Sequence, residues 1–197
     1  MKWALDLCSG LGGFSEAFVI DPAWQVVRIE NNPLLESVPH TQLGSVLEWI
    51  DWLPGLIEQM GGRPEVIVAS PPCLEFSTAR TWAQGRVNDP DMSIVEAVFE
   101  IVDFAKPNFW IVENVAGACP HFLVYFGRFK QKIGPFFFWG AYPHIEVPND
   151  FNHTKASQDV WSSDPLRANK KGKIPLEISD GLLQSVCSQT TLFKEWG

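Results

Sequence analysis

Residues 3–18 read WALDLCSGLGGFSEAF. The apolar stretch WALDL is typical of a buried strand, and FSEAF is typical of the start of a helix. Between them stand Gly10, Gly12 and Gly13, whose backbone can approach a ligand closely, while the helix N-terminus offers free N–H groups. Strand, glycine-rich turn and helix in this order predict a loop that binds a nucleotide cofactor. A plain tight turn would have a similar composition and is the alternative.

Composition limits the class of protein. The 197 residues suit one domain, and 46% hydrophobic against 19% charged residues indicates a compact globular chain. With 15 Lys and Arg against 23 Asp and Glu, the net charge is −8. No overall electrostatic attraction to a polyanion follows, so any surface that binds nucleic acid must be local.

The four cysteines are widely spaced, at positions 8, 73, 119 and 187. They form no CxxC pair, and no histidine stands at zinc-finger spacing, so we expect no metal and a reduced, cytosolic type of protein. Met1 runs directly into the first predicted strand, which predicts that no signal peptide is present. No apolar run approaches the length of a membrane span, and no membrane partner is expected.

A second predicted strand, residues 26–29, ends at Glu30, which lies 24 positions after Asp6. An acidic residue at this place is positioned to hold ribose hydroxyls in a Rossmann-like fold. A solvated glutamate at a strand end is the alternative, and the preceding glycine loop favours the ribose role.

The apolar run at residues 66–68 leads into Ala69-Ser70-Pro71-Pro72-Cys73. A β-branched run followed by two prolines predicts a buried strand that stops abruptly, with Cys73 in a rigid turn at its C-terminal end. Open α/β sheets place their chemistry at this end of the strands, and a thiolate is a strong nucleophile. A small buried thiol is the alternative.

Helices and strands alternate along the chain. The capping boxes SVLE (45–48) and SIVE (93–96) predict two helices, the first interrupted or kinked by Pro54 and the second with Phe104 on its buried face. A further strand at residues 109–112 ends at Glu113 and Asn114. The alternation predicts an α/β fold with a mostly parallel sheet, in which the strand ends meet at one edge. A strand at 136–139 and a helix after Ile174 complete the prediction.

Three stretches in order resemble the motifs of one family. Residues 6–15 (DLCSGLGGFS), 70–77 (SPPCLEFS) and 106–115 (KPNFWIVENV) are similar to the cofactor loop, the Pro-Cys motif and the Glu-Asn-Val motif of the DNA cytosine-C5 methyltransferases. The resemblance covers about the first two-thirds of the chain and is nearest to short phage-type members. It implies a Rossmann-like, S-adenosylmethionine-dependent methyltransferase fold.

The resemblance also implies an activity: transfer of a methyl group from S-adenosyl-L-methionine to C5 of cytosine in DNA. Cys73 would add to C6 and so make C5 nucleophilic. Glu113, which we expect to be partly buried, would supply a proton at N3, Asn114 would help to fix that carboxyl group, and Pro72 would set the turn. The base that removes the C5 proton is not identified; an ordered water is one candidate.

The resemblance assigns eleven residues to the cofactor: Asp6, Cys8, Gly10, Leu11, Gly12, Gly13, Glu30, Asn31, Ser45, Val46 and Ser70. The glycine loop and Asp6 would meet the methionine end, and Glu30 the ribose. Two positions depart from the family pattern, because Cys8 stands where members usually carry Phe against the adenine, and Ser45 where an Asp often meets the adenine amine.

The expected substrate is duplex DNA whose target base is flipped out of the helix. The segment 78–91 would close over that base, with Ser77, Arg80 and Arg86 as candidate substrate contacts. For the two arginines a solvated loop is the alternative. The Gln-x-Arg-x-Arg motif of the family is not evident after Glu113.

The chain is short for the family. Residues 144–173 stand where members carry a target-recognition domain, and about 30 residues are too few for one, so a single catalytic domain over 1–197 is predicted. Four cations of the segment 144–173 could form a phosphate-binding strip: Arg167, Lys170, Lys171 and Lys173. A solvated charged loop is the alternative. Target recognition could instead come from a second protein or a homodimer.

Two other functions stay open at this stage. The same chemistry on RNA or a free nucleotide is compatible with the acidic net charge. The second open function is that of a non-catalytic relative that regulates a partner methyltransferase. The presence of both Cys73 and Glu113 argues against this function. The expected location is the cytoplasm of a bacterial, archaeal or phage-infected cell.

Overall fold

The structure is a computed structural model that describes residues 2–76, 90–153 and 163–195, without the side chains of Glu75 and of residues 190–195. In these ranges seven strands form one sheet: β1 (Lys2–Leu7), β2 (Trp24–Glu30), β3 (Thr41–Leu43), β4 (Val66–Ala69), β5 (Phe109–Asn114), β6 (Gln131–Ile133) and β7 (Phe136–Ala141). The strand order is β3-β2-β1-β4-β5-β7-β6. Strands β1 to β5 are parallel, and β7 and β6 add an antiparallel edge. The predicted α/β class with a mostly parallel sheet is confirmed.

Helices cover both faces of the sheet: α1 (Glu16–Ile20), α2 (Trp49–Gln59), α3 (Ser93–Ala105), α4 (Cys119–Phe126), α5 (Arg167–Gly172) and α6 (Leu176–Glu195). Side chains alternate along a strand, so Leu5 of β1 packs into the core beneath α2, α3 and α4, while Ala4 packs beneath α1 and α6. A buried hydroxyl joins α1 to α6, because Ser179 Oγ donates to the Phe14 carbonyl at 2.8 Å and accepts from Ala17 N at 3.0 Å.

The structure differs from the predicted helices in three details. Helix α2 runs through Pro54 without a break; this residue is exposed, so water can reach the carbonyl that loses its donor. Helix α3 begins at Ser93, so this serine is its first residue and not its N-cap; Met92 is the N-cap, and the Asp91 carboxylate accepts from Ser93 N at 2.9 Å. Phe104 of α3 is 50% exposed, and Val95 is buried in the core.

Candidate active site

The carboxyl ends of β1, β2, β4 and β5 meet around one cavity of about 340 Å³. This volume lies within the range of small-molecule sites, about 300–1,000 Å³. Of the predicted site residues in the described ranges, twelve line the cavity: Cys8, Gly10, Leu11, Gly13, Glu30, Asn31, Ser45, Val46, Ser70, Pro72, Cys73 and Glu113. The fold therefore brings the glycine loop, the predicted nucleophile and the predicted acid to the same cavity.

Glu30 connects the glycine loop to the end of β2. One carboxylate oxygen accepts a hydrogen bond from Gly10 N at 2.8 Å, and the other accepts from Asn32 N at 2.9 Å. The side chain is held in place by two backbone donors and is only 7% exposed. Since each carboxylate oxygen has a second acceptor site, this fixed group can still accept hydrogen bonds from a ligand's hydroxyls.

Cys73 follows Pro71 and Pro72 at the end of β4 and is half-buried. The chain then forms a 3₁₀ turn, Leu74–Phe76, in which Phe76 N donates to the Cys73 carbonyl at 3.1 Å. The Phe76 ring is buried and lies edge-on to Phe122 of α4, with 5.4 Å between centroids. The turn that carries the thiol is therefore anchored in the core on its far side.

Glu113 and Asn114 end β5, and both are buried. Glu113 lines the cavity, whereas Asn114 does not. The Asn114 amide donates to the Pro71 carbonyl at 3.0 Å and accepts from Val115 N at 2.9 Å. The role predicted for Asn114, to help fix the Glu113 carboxyl, stays a prediction; its amide N–H also holds the Pro71 carbonyl of the Pro-Cys turn.

Asp6 and Gly12, both predicted cofactor contacts, do not line the cavity. Asp6 points to the opposite face of β1 from Leu5 and Leu7, beneath α1, where it is fully buried and accepts from Ser15 Oγ at 2.6 Å. Burial raises its pKa to about 6, while the Ser15 hydrogen bond and the Arg28 charge act in the opposite direction. Asp6 therefore supports the loop from behind.

Cys8 lines the cavity in an unusual conformation for a residue with a side chain, with φ +54°. Burial, with the nearby Glu30 and Asp6 carboxylates, raises the pKa of its thiol. Cys8 therefore stays protonated and acts as a small apolar wall.

Ser45 and Val46 line the cavity on the side of β3. Ser45 Oγ accepts from Leu47 N at 3.2 Å, and its carbonyl accepts from the Trp52 indole at 3.0 Å. The hydroxyl thus caps the 3₁₀ turn Val46–Glu48, whereas the SVLE pattern predicted that Ser45 caps α2 itself, which begins only at Trp49.

One wall of the cavity was not predicted from the sequence and comes from the C-terminal part of the chain: Ala168, Asn169, Gly172, Lys173 and Ile174. These residues lie on α5 and in the link to α6, more than 150 positions from the glycine loop. Among them only Lys173 was a predicted contact, and it was predicted for a phosphate-binding strip and not for the cofactor.

Two cations of the predicted phosphate-binding strip are paired within the chain. Lys173 Nζ lies 2.8 Å from Glu16 Oε2, and Lys170 Nζ lies 2.7 Å from Asp164 Oδ2. The strip is therefore partly neutralised by these contacts. The predicted substrate contacts Ser77, Arg80 and Arg86 lie outside the described residues.

The cavity fits a polar nucleoside cofactor. Ser9 and Ser70 line it, and their hydroxyl oxygens are buried with no hydrogen-bond partner among the described residues. A buried hydroxyl without a partner costs about 1–3 kcal/mol, so a ligand with several donors and acceptors suits this wall.

Among the described residues no group of three or more His, Cys, Asp or Glu is arranged to hold a metal ion. Nor does any helix in those ranges have the length and apolar character to cross a membrane.

Comparison with known proteins gives relatives of one kind. The chain is 34% identical over 58 residues to the type II methyltransferase M.SacI of Streptomyces achromogenes, and 28% identical over 124 residues to the type II methyltransferase M1.HphI of Haemophilus parahaemolyticus. These matches cover 28% and 59% of this chain but only 15% and 33% of the relatives. The chain thus matches a third or less of the length of these curated relatives.

A solved structure shares the fold. It is a DNA modification methyltransferase encoded within a prophage (E. coli), with a TM-score of 0.50 and 19% identity, over 72% of this chain and 47% of that one. The predicted Rossmann-like methyltransferase fold is confirmed. The sequence profile described as "C-5 cytosine-specific DNA methylase" matches residues 3–131, which include the glycine loop, Cys73 and Glu113. The chain therefore belongs to the C-5 cytosine-specific DNA methylase family.

Proposed function

We propose that this chain transfers a methyl group to C5 of cytosine in DNA, with S-adenosyl-L-methionine as the cofactor. One observation carries the proposal: Cys73 and Glu113 line the same cavity as the glycine loop and Glu30. A nucleophile and an acid are thus placed beside a site for a nucleoside, as this reaction requires.

The proposed chemistry begins at Cys73. Its thiolate forms a bond to C6 of cytosine. The electrons of the C5–C6 double bond shift to C4–C5, those of the C4–N3 double bond shift to N3, and Glu113 supplies a proton there. C5 thereby becomes nucleophilic. S-adenosyl-L-methionine, when bound, would supply the methyl group that C5 takes, because its sulfonium releases a neutral thioether as the leaving group. Loss of the C5 proton to a base then restores the double bond as the thiolate leaves C6.

The cofactor residues follow from the cavity. Glu30 would accept hydrogen bonds from the ribose hydroxyls, and Cys8 and Val46 would pack against the adenine of the cofactor. The N–H groups of the glycine loop would face the methionine end. Asn169 and Lys173 would close that end. The remaining predicted contacts, Leu11, Asn31, Ser45 and Ser70, lie on the same walls.

The DNA substrate and its recognition belong to the proposal as well. We infer a single catalytic domain over 1–197, with residues 144–173 in place of a recognition domain. With a net charge of −8, the chain has no general attraction to a polyanion. Sequence recognition would then come from a second protein or a homodimer, and the target base would be flipped into the cavity.

The test is incubation of wild type, Cys73→Ala and Cys119→Ala with labelled S-adenosyl-L-methionine and duplex DNA, followed by nucleoside analysis. Cys119 begins α4 and does not line the cavity, so it is the matched control. We expect 5-methylcytosine with wild type and Cys119→Ala, and none with Cys73→Ala. Equal labelling by Cys73→Ala would refute the proposed nucleophile.

Absence of label in DNA from all three proteins would contradict the DNA proposal in its simple form. The same incubation with RNA and with cytidine nucleotides then tests the same chemistry on another substrate. Methylation that needs an added, larger methyltransferase would instead indicate a regulatory subunit. Steep loss of DNA binding with rising salt would support a surface that follows phosphates.

A further inference from the structure

Arg28 is a buried cation immediately behind the glycine loop. It stands on β2, is 4% exposed and does not line the cavity. Burial lowers the pKa of its guanidinium, and the Asp6 and Glu16 carboxylates oppose that effect. Neither the family motifs nor the proposed chemistry uses this residue, although a buried charge is costly unless it is well paired.

The guanidinium joins three segments of the chain. Its Nη2 donates to the Gly12 carbonyl at 2.7 Å, its Nε donates to Ser15 Oγ at 2.9 Å, and its Nη1 donates to the Pro39 carbonyl at 2.8 Å. The planar guanidinium of Arg28 thereby connects three parts of the chain: the glycine loop, the start of α1 and the end of the segment between β2 and β3.

Asp6 supplies the opposite charge. Its Oδ2 lies 3.9 Å from Arg28 Nε and accepts from Ser15 Oγ at 2.6 Å, so the serine hydroxyl bridges the two charged groups. All three side chains are at most 4% exposed. The unit is therefore internal to the fold and touches the cavity only through the backbone of the loop.

Gly12 packs directly against this unit. A Cβ at position 12 would come within 2.3 Å of Arg28 Cζ, and the residue has φ +71°. Glycine is thus required at this position by Arg28 as well as by the backbone conformation. The sequence pattern alone attributed this glycine to the approach of a ligand.

The direction of the Gly12 carbonyl has a consequence for its neighbour. In a planar trans peptide the C=O and the following N–H point in opposite directions. Because Arg28 holds the Gly12 carbonyl, the Gly13 N–H points away from Arg28, and Gly13 lines the cavity.

We propose that Arg28 is a positioning residue for the cofactor: by holding the Gly12 carbonyl it orients the Gly13 N–H as a donor to the bound ligand. The inference rests on the proposed function for the identity of that ligand. It assigns to Arg28, with Asp6 and Ser15, control of cofactor affinity without contact with the cofactor.

The test compares wild type, Arg28→Lys and Arg28→Met, with Arg63→Met as the control. Arg63 is exposed and bonds to Asn108, away from the cavity. We expect the Kd for S-adenosylhomocysteine, measured by calorimetry, to rise at least tenfold in Arg28→Met and less in Arg28→Lys, which keeps the charge but not the fork. Arg63→Met should bind like wild type.

Hydrogen exchange provides a readout that does not need the cofactor. In Arg28→Met the amides of residues 9–16 should exchange faster, while those of 93–105 in α3 stay unchanged. Should Arg28→Met fail to fold, Ser15→Ala removes only the bridging hydroxyl and should give the same local effect. Unchanged exchange in 9–16 together with a Kd within twofold of wild type would overturn the inference. Failure of wild type to bind S-adenosylhomocysteine would instead count against the proposed function, and the exchange result would still decide the role of Arg28 in the loop.

Discussion

At the scale of single residues, Asn114 couples two strand ends that carry the proposed chemistry. It follows Glu113 directly, and its side chain holds the Pro71 carbonyl in the turn that leads to Cys73. A shift of the Asn114 side chain would therefore change the distance between the nucleophile and the acid. Neither motif alone shows this connection.

We expect Asn114→Ala to lower the free energy of unfolding by about 1–3 kcal/mol, since a buried carbonyl loses its donor. The rate of methyl transfer at saturating cofactor should fall about tenfold, because the Cys73 turn is less well placed. Urea unfolding and single-turnover kinetics measure the two effects. Asn108→Ala, an exposed change just before the same strand, should stay within about 0.5 kcal/mol of wild type. A normal rate in a destabilised Asn114→Ala would show that this bond does not position the turn.

Asp6 predicts a pH dependence of stability. Burial raises its pKa from 3.8 to about 6, so the folded protein holds a proton that the unfolded chain releases. The contribution of Asp6 to stability is therefore full below about pH 4 and is lost as the pH rises through about 6. Relative to Asp6→Asn, which does not titrate, wild type should lose up to about 3 kcal/mol over that interval. Urea unfolding of both proteins from pH 4 to pH 8 measures this, and a constant difference would contradict the pKa.

At the scale of elements, the C-terminal segment closes against the glycine loop. A Cβ at Gly13 would lie 2.4 Å from the Ile174 carbonyl. Lys173 reaches Glu16 of α1, and Ser179 of α6 bonds to the Phe14 carbonyl. The start of α1 is thus fixed by residues near the end of the described chain.

A pair of glycine substitutions tests this packing. Gly13→Ala should cost about 1–3 kcal/mol of stability, because a backbone atom blocks the new methyl group, and should weaken cofactor binding. Gly55→Ala in α2 meets nothing within 4 Å and should stabilise the protein by about 0.5–1 kcal/mol. Thermal unfolding and calorimetry give both comparisons. A Gly13→Ala protein as stable as wild type would show that the segment does not press on the loop.

For the molecule as a whole, the cavity is built from segments that are distant in the sequence, so ligand binding should stabilise the entire fold. S-adenosylhomocysteine at a hundred times its Kd should add about 2.7 kcal/mol to the free energy of unfolding. Cys73→Ala should keep this gain in stability, because Cys73 is assigned to the target cytosine and not to the cofactor. Glu30→Ala should lose most of the gain, because Glu30 is assigned to the ribose of the cofactor. The measurement is urea unfolding with and without ligand. An equal gain in Glu30→Ala would contradict the ribose role of Glu30.

Several features could be predicted from the amino-acid sequence alone: the main strands, the glycine loop and the positions of Cys73, Glu30 and Glu113. These features depend on local patterns: apolar runs of strand length, turn residues and the order of motifs along the chain. Strands β3 and β6 were missed because three residues each are too short to show a pattern.

The groups that support the site could not be predicted in this way, because they depend on tertiary packing. Asp6 faces α1 rather than the cavity, Arg28 holds Gly12, Asn114 bonds to Pro71, and residues 168–174 form a wall. Each of these contacts depends on the pairing of strands or on the packing of helices against the sheet. A local pattern predicts where a strand ends, but which side chains meet there is determined by the packing of segments that are distant in the sequence.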